Sequence, residues 1–306
     1  MNAKIQNRSD DAPTIVSNLT HIGAAAKGTV LLNFWMWVIR EMEVAVARCQ
    51  TQCSTENSVC NKHGVHAWDR AVAFYTGSLE GQFGTGVGVL LYSISNALCT
   101  DTNTCGINGD EALGTSFVNL QVFEHFSAGQ QSIRTGQCES AKRSKDRIVE
   151  YMTIPLIQGT LKHAHSLANE PIHSYGNEAE GATFAAAVLP LVHNCSTADA
   201  AIIYSNMKTG TRGKVDFKAV KKALQRNYEC LGVKCEQIGG IYADGKYAKN
   251  AGPCGVENDN TAGMAVGISI GLLAVVGIIV AYCSLVGPKA APPPELEMRG
   301  GENQFV

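Results

Sequence analysis

"KHGVHAWDRAVAFYTGSLEG", residues 62–81, reads as an amphipathic helix running into a glycine-bearing turn. At 100° per residue, Trp68, Val72, Tyr75 and Leu79 form one stripe, the core face, while His66, Asp69, Ala73 and Gly77 line the opposite side. That second stripe joins two potential metal ligands to two small residues, which leaves room for an ion. A competing reading starts the helix just after Gly64. Asp69 then lies in the first turn, where a carboxylate complements the helix dipole.

The same period recurs along the chain. Leu31, Phe34, Trp35, Val38, Met42 and Ala45 predict an amphipathic helix ahead of the opening stretch. Strand-like alternation is scarce between 28 and 250, so the expected class is all-α. The halves before and after residue 150 also echo each other. "HAWDRAVAFYTGSL" (66–79) aligns with "NEAEGATFAAAVLP" (177–190), setting Asp69 opposite Glu180. "GVLLYSISN" (88–96) aligns with "DAAIIYSNM" (199–207), setting Tyr92 opposite Tyr204. "FVNLQVFEHFSAG" (117–129) pairs with "FKAVKKALQRNYE" (217–229), and "MWVIREMEVAVARCQ" (36–50) with "MTIPLIQGTLKHAHS" (152–166). The architecture expected is two tandem four-helix modules, 22–150 and 151–258.

Lys plus Arg number 25 against 27 Asp plus Glu, which gives no electrostatic case for nucleic acid. Ten of the eleven cysteines precede residue 260, an even set that predicts a disulfide-bonded ectodomain in an oxidising compartment. The close spacings Cys99/Cys105 and Cys230/Cys235 suit small loops; the other pairings stay open. Cys283 sits inside "MAVGISIGLLAVVGIIVAYCSLV", Met264–Val286, 23 residues without a charge. At about 1.5 Å per residue this run spans a hydrocarbon core of roughly 30 Å and predicts one transmembrane helix. Lys289 beyond it, against Glu257 and Asp259 before it, favours a cytoplasmic tail over 287–306, hence a single-pass type I plasma-membrane protein. The sequons at Asn7, Asn18 and Asn194 fit an exported glycoprotein. Residues 1–21 are polar, expected to be disordered, and not a signal peptide. The reading adopted is that the true N-terminus is missing.

Further ligand candidates follow from chemistry. A phenolate from Tyr92 or Tyr204 suits ferric iron, as do the carboxylates of Asp69 and Glu180, although a tyrosine on an apolar helix is more often core. Asn177-x-x-Glu180 also reads as a capping box. His163, His165, His173 and His193 lie within 31 residues, and His165 is preferred because it continues the Ile154, Ile157, Leu161 face. Arg70 and the "TGSLEG" turn (Thr76, Gly77, Ser78) are candidates for a small anion, although the stretch lacks phosphate-loop spacing and reads equally as a plain inter-helix turn. There is no Gly-x-Ser-x-Gly ahead of the apolar run and no His-Glu-x-x-His, so no enzyme is expected.

Four segments, "GVHAWDRAVAFYTGSLEG", "MTIPLIQGTLKHAHSL", "EAEGATFAAAVLPLVHNC" and "VDFKAVKKALQRNYECLGVKC", together resemble the low-iron-inducible periplasmic iron-assimilation proteins of algae. With its C-terminal anchor the chain looks like the phytotransferrins within that family. The resemblance, from about Gly64 to Cys254, implies a cell-surface protein that captures ferric iron with carbonate as synergistic anion. It also implies delivery by endocytosis, with an endocytic or surface protein as partner. Gly64-x-His66-x-x-Asp69 is similar to the Gly-x-His-x-x-Glu motif of bacterial imelysin-like proteins, with Asp in place of Glu. The site expected on chemistry and the repeat is His66, Asp69, Tyr92, His165, Glu180 and Tyr204. The alternative is an adhesion ectodomain that binds a protein without metal.

Overall fold

Apolar residues at every third or fourth position build helices almost throughout. The structure, a computed structural model, describes residues 25–52, 62–77, 88–169, 175–211 and 213–255. A π-helical segment, Thr29–Phe34, leads into α1 (Trp35–Gln52). Then come α2 (Lys62–Thr76), α3 (Leu91–Thr102), α4 (Phe117–Arg134) and the long α5 (Cys138–Asn169). The chain continues through α6 (Tyr175–Cys195), α7 (Thr197–Met207), α8 (Phe217–Gln225) and the short α9 (Cys235–Ile238). A small hairpin, β1 (Tyr242–Ala243) and β2 (Lys246–Tyr247), and isolated bridges from Cys105 to Glu111 and Ser116 depart from all-α.

The predicted stripes are the buried ones. Leu31, Trp35, Val38, Met42 and Ala45 are buried, as are Trp68 and Tyr75, with Val72 packed against the same core. Trp68 is fully buried and donates its indole N–H to the Phe126 carbonyl at 2.9 Å. Its ring lies where a Cβ on Gly129 would stand, so only glycine lets α4 come this close. Gly159 on α5 receives the Phe184 ring of α6 in the same way. Gly64, the first residue of the Gly-x-His-x-x-Asp motif, faces Ile133 and the Ala45 carbonyl, so its smallness serves the packing of α2 on α1. Tyr75 donates to Asn119 Oδ1 at 2.6 Å, and Asn119 donates to the Tyr92 carbonyl and Asn96 Oδ1, tying α2, α3 and α4 together.

Each segment of the internal echo falls on a helix, in the order α1 to α4 and then α5 to α8. The two sets share one unit, 1–257, and the division at 150 falls inside α5. That helix packs on α1, α3 and α4 as well as on α6, α8 and α9. Gln158 at its middle donates to the Thr102 and Thr104 hydroxyls, each at 3.0 Å, and to the Ile238 carbonyl at 3.1 Å. One buried amide therefore bridges the end of α3 and α9.

Disulfides close the frame: Cys49–Cys138, Cys99–Cys105, Cys195–Cys230 and Cys235–Cys254. The small Cys99/Cys105 loop forms as read. Cys230 and Cys235 do not pair with each other. The chain turns at Gly232, with φ +70°, and each thiol meets a different neighbour, the end of α6 or the loop past the hairpin. Cys53 and Cys60 lie outside the described residues, as do Asn18, Ser78, segment 1–21, the apolar run 264–286 and the tail 287–306. Among the described residues no helix is long and apolar enough to cross a membrane.

Candidate functional site

The helix α2 begins at Lys62, so Asp69 lies past the first turn and the dipole explanation for it does not hold. His66 and Asp69 are both exposed on the outer face, as the stripe requires. Asp69 Oδ1 accepts a 2.5 Å hydrogen bond from Gln130 Nε2 of α4. Arg70 gives two N–H groups to Glu41 Oε2, at 3.0 and 2.6 Å, and its charge is thereby matched within the fold. Thr76 donates its hydroxyl to the Val72 carbonyl at 3.0 Å, and Gly77, at φ +71°, ends the helix. Both residues act as a helix terminus here.

The tyrosines diverge. Tyr92 is buried, its ring edge-on to Phe123 at 5.8 Å. Tyr204 is 57% exposed, has the Lys208 ammonium 5.7 Å over its ring, and lines an open groove with Leu189, Pro190 and His193. Asn194 is exposed at the end of α6. His165 is half-buried and edge-on to Phe217 at 5.1 Å. The helix α2 packs on α1, α3 and α4, whereas α6 and α7 pack on each other, α5 and α8, so the echo does not bring Asp69 and Glu180 onto neighbouring helices. Among the described residues no three His, Cys, Asp or Glu side chains are grouped to hold a metal ion.

Glu180 has the most developed surroundings of the six. The helix α6 starts at Tyr175, which puts Asn177 inside it and excludes the capping box; Asn177 donates instead to the Ser166 hydroxyl at 2.8 Å. Glu180 Oε2 lies 2.5 Å from Lys27 Nζ and 3.4 Å from His163 Nε2. Gly181 allows this meeting, because a Cβ there would stand 2.8 Å from the His163 Cβ. The His163 ring stacks on Phe184, with centroids 5.6 Å apart, and its Nδ1 is buried without a hydrogen-bond partner among the described residues. Burial, reinforced by Lys162 and Lys27, lowers the His163 pKa from its usual 6.5 to about 3. The Glu180 carboxylate 3.4 Å away favours protonation, but Lys27 already neutralises that same oxygen. The imidazole is therefore neutral, the form that ligates metals.

Residues 14–254 match the family described as low iron-inducible periplasmic protein. The chain belongs to that family. No curated protein and no solved structure matches it significantly. For a low iron-inducible periplasmic protein, iron assimilation is the role implied, and the periplasmic or cell-surface place accords with the four disulfides among the described residues. The helix ahead of His163 and His165 gives no phase for choosing between them. Every residue from Tyr151 to Leu161 is buried, so an all-round apolar helix gives no stripe from which to pick one histidine. Lys27 carried no sequence signal for this role.

Proposed function

We propose that this protein binds ferric iron as cargo at the cell surface, with carbonate as synergistic anion, and gives it up in acidified endocytic vesicles. It acts as a binding protein, not an enzyme. The observation that carries this reading is the match of residues 14–254 to a family named for induction by low iron. Carboxylate oxygen is the donor that hard ferric iron prefers, and Glu180 offers it at 29% exposure with an imidazole beside it. Carbonate fills the coordination positions that the protein leaves open. Its protonation on acidification weakens the site, which supplies the release step. The apolar run 264–286 serves as a single-pass anchor, with the glycosylated ectodomain outside and the tail open to endocytic partner proteins.

The test is ferric iron titrated into the purified chain at neutral pH, with and without bicarbonate, followed by visible absorption. Tight binding that needs bicarbonate and is lost at pH 5 is the expected result. A phenolate charge-transfer band would put a tyrosine on the metal; binding without it removes Tyr92 and Tyr204. Asp69→Ala that leaves affinity unchanged removes the His66/Asp69 pair. No binding under either anion condition would favour the adhesion reading over iron capture.

A further inference from the structure

The stretch 181–207, "GATFAAAVLPLVHNCSTADAAIIYSNM", spans most of α6 and all of α7 and contains a single Asp, Glu, Lys or Arg. That residue, Asp199, is buried and paired with Arg226. In a chain that is 17% charged, this leaves a surface depleted of charge. Ala186, Pro190 and His193 of α6 and Thr197, Ala201 and Tyr204 of α7 are exposed along one open groove. The Tyr204 hydroxyl makes no hydrogen bond among the described residues. Pro190 has no N–H, so the Ala186 carbonyl in the same groove lacks its usual helical donor.

A second copy of this chain suits that face. Identical surfaces that meet about a two-fold axis bring like charges together, and a charge-depleted patch avoids that cost. The small side chains of Ala186 and Ala201 let helices approach closely, and tyrosine is among the residues that anchor such contacts. Lys208, 5.7 Å over the Tyr204 ring, is exposed at the edge of the face. Asn194 lies one residue past His193, 100° round α6, so a glycan there stands beside the groove. The apolar run points to the same occupant. Read as a helix, it sets Gly267, Gly271, Ala274 and Ala281 on one stripe, and Gly-x-x-x-Gly is a pattern through which membrane helices pair. The folded face is small. With α7 at 11 residues, about 16 Å long, and helices packing roughly 10 Å apart, it presents on the order of 300 Å² per copy. Stable complexes bury about 800 Å² per partner, so the folded units alone associate weakly. Two anchors in one membrane raise the effective concentration that makes a weak contact sufficient.

We propose that the α6–α7 face docks a second copy of this chain about a two-fold axis. Tyr204 of each copy covers the groove of the other, and its hydroxyl donates to the Ala186 carbonyl across the axis. The pairing needs no metal and goes beyond the iron-cargo reading, with which it shares only the membrane anchor.

Sedimentation equilibrium of the metal-free full chain in a non-ionic detergent, over a wide range of protein concentration, measures the association. Wild type is expected to pass from one chain to two. Ala201→Glu sets like charges against each other across the axis and is expected to weaken association about tenfold or more. Tyr204→Phe keeps the ring and loses the donated hydrogen bond, and is expected to weaken it several-fold. Both positions are exposed, so the helical circular dichroism of these variants is expected to match wild type. Gly267→Leu combined with Gly271→Leu tests the anchor separately, and is expected to weaken association while leaving the Ala201→Glu effect in place. Association lost in that double variant but unchanged in Ala201→Glu would put the pairing in the anchor alone and overturn the docking face. Wild type that stays a single chain throughout overturns the proposal and leaves the face to a different partner. The iron titration succeeds or fails independently of either result.

Discussion

Trp68→Ala is expected to lower the unfolding free energy by about 3–5 kcal/mol, read by urea titration of the helical circular dichroism. The indole is fully buried, its N–H is bonded to the Phe126 carbonyl, and it is edge-on to the Phe126 ring at 6.2 Å. Truncation loses that transfer free energy and leaves a cavity between α2 and α4 that the helices close only in part. The partner substitution tests why. Gly129→Ala places a methyl group in the space of the ring and is expected to cost about 1–3 kcal/mol as overpacking. In the Trp68→Ala background the same Gly129→Ala change should cost far less, because the ring it collides with is gone. Costs that simply add would mean that α4 is not held to α2 by this fit, since residues in contact are expected to couple by roughly 0.5–3 kcal/mol.

Acidification of the metal-free protein carries the second large effect. His163 in the fold is held neutral to about pH 3, while in the unfolded chain it titrates at its usual 6.5. Between those values the unfolded state binds more protons, so stability is full above about pH 6.5 and falls as the pH drops towards 3. The gap is worth about 4 kcal/mol at its lower end. Lys162 and Lys27 push in the same direction as burial, and Glu180 opposes them only weakly while Lys27 occupies it. Other carboxylates titrate over the same range, so the readout is the difference between wild type and His163→Phe. The wild type is expected to lose stability more steeply below pH 6.5, and parallel curves for the two proteins would show that His163 is not held neutral by its burial.

Position in the helix settles several residues for which spacing gave two readings. Asp69 was open to a dipole role, yet α2 begins at Lys62, about two turns ahead of it. Asn177 had the spacing of a cap, but α6 begins before it. Arg70 reads as a spare cation in sequence, and only the fold shows that Glu41 of α1 lies against it. The two helix starts are misplaced in sequence because the residues ahead of them, polar and without a clear stop, carry no periodic signal.

By itself the sequence determined what repeats locally. The 3.6-residue period set the helical class and the buried faces of α1 and α2, because a half-buried helix prints its orientation on alternate polar and apolar positions. Short spacing offered Cys99/Cys105 and Cys230/Cys235 alike, and only the first forms a loop. Tertiary structure alone decided everything that depends on which helices become neighbours. It paired Cys195 with Cys230 and Cys235 with Cys254, and it made α5 common to both halves of the echo. It also turned His163, not His165, towards Glu180 and brought Lys27 from far away in the chain to the same oxygen. A helix surrounded on every side has no polar face to record its rotation, and an ion pair between distant segments leaves no trace in either one's spacing.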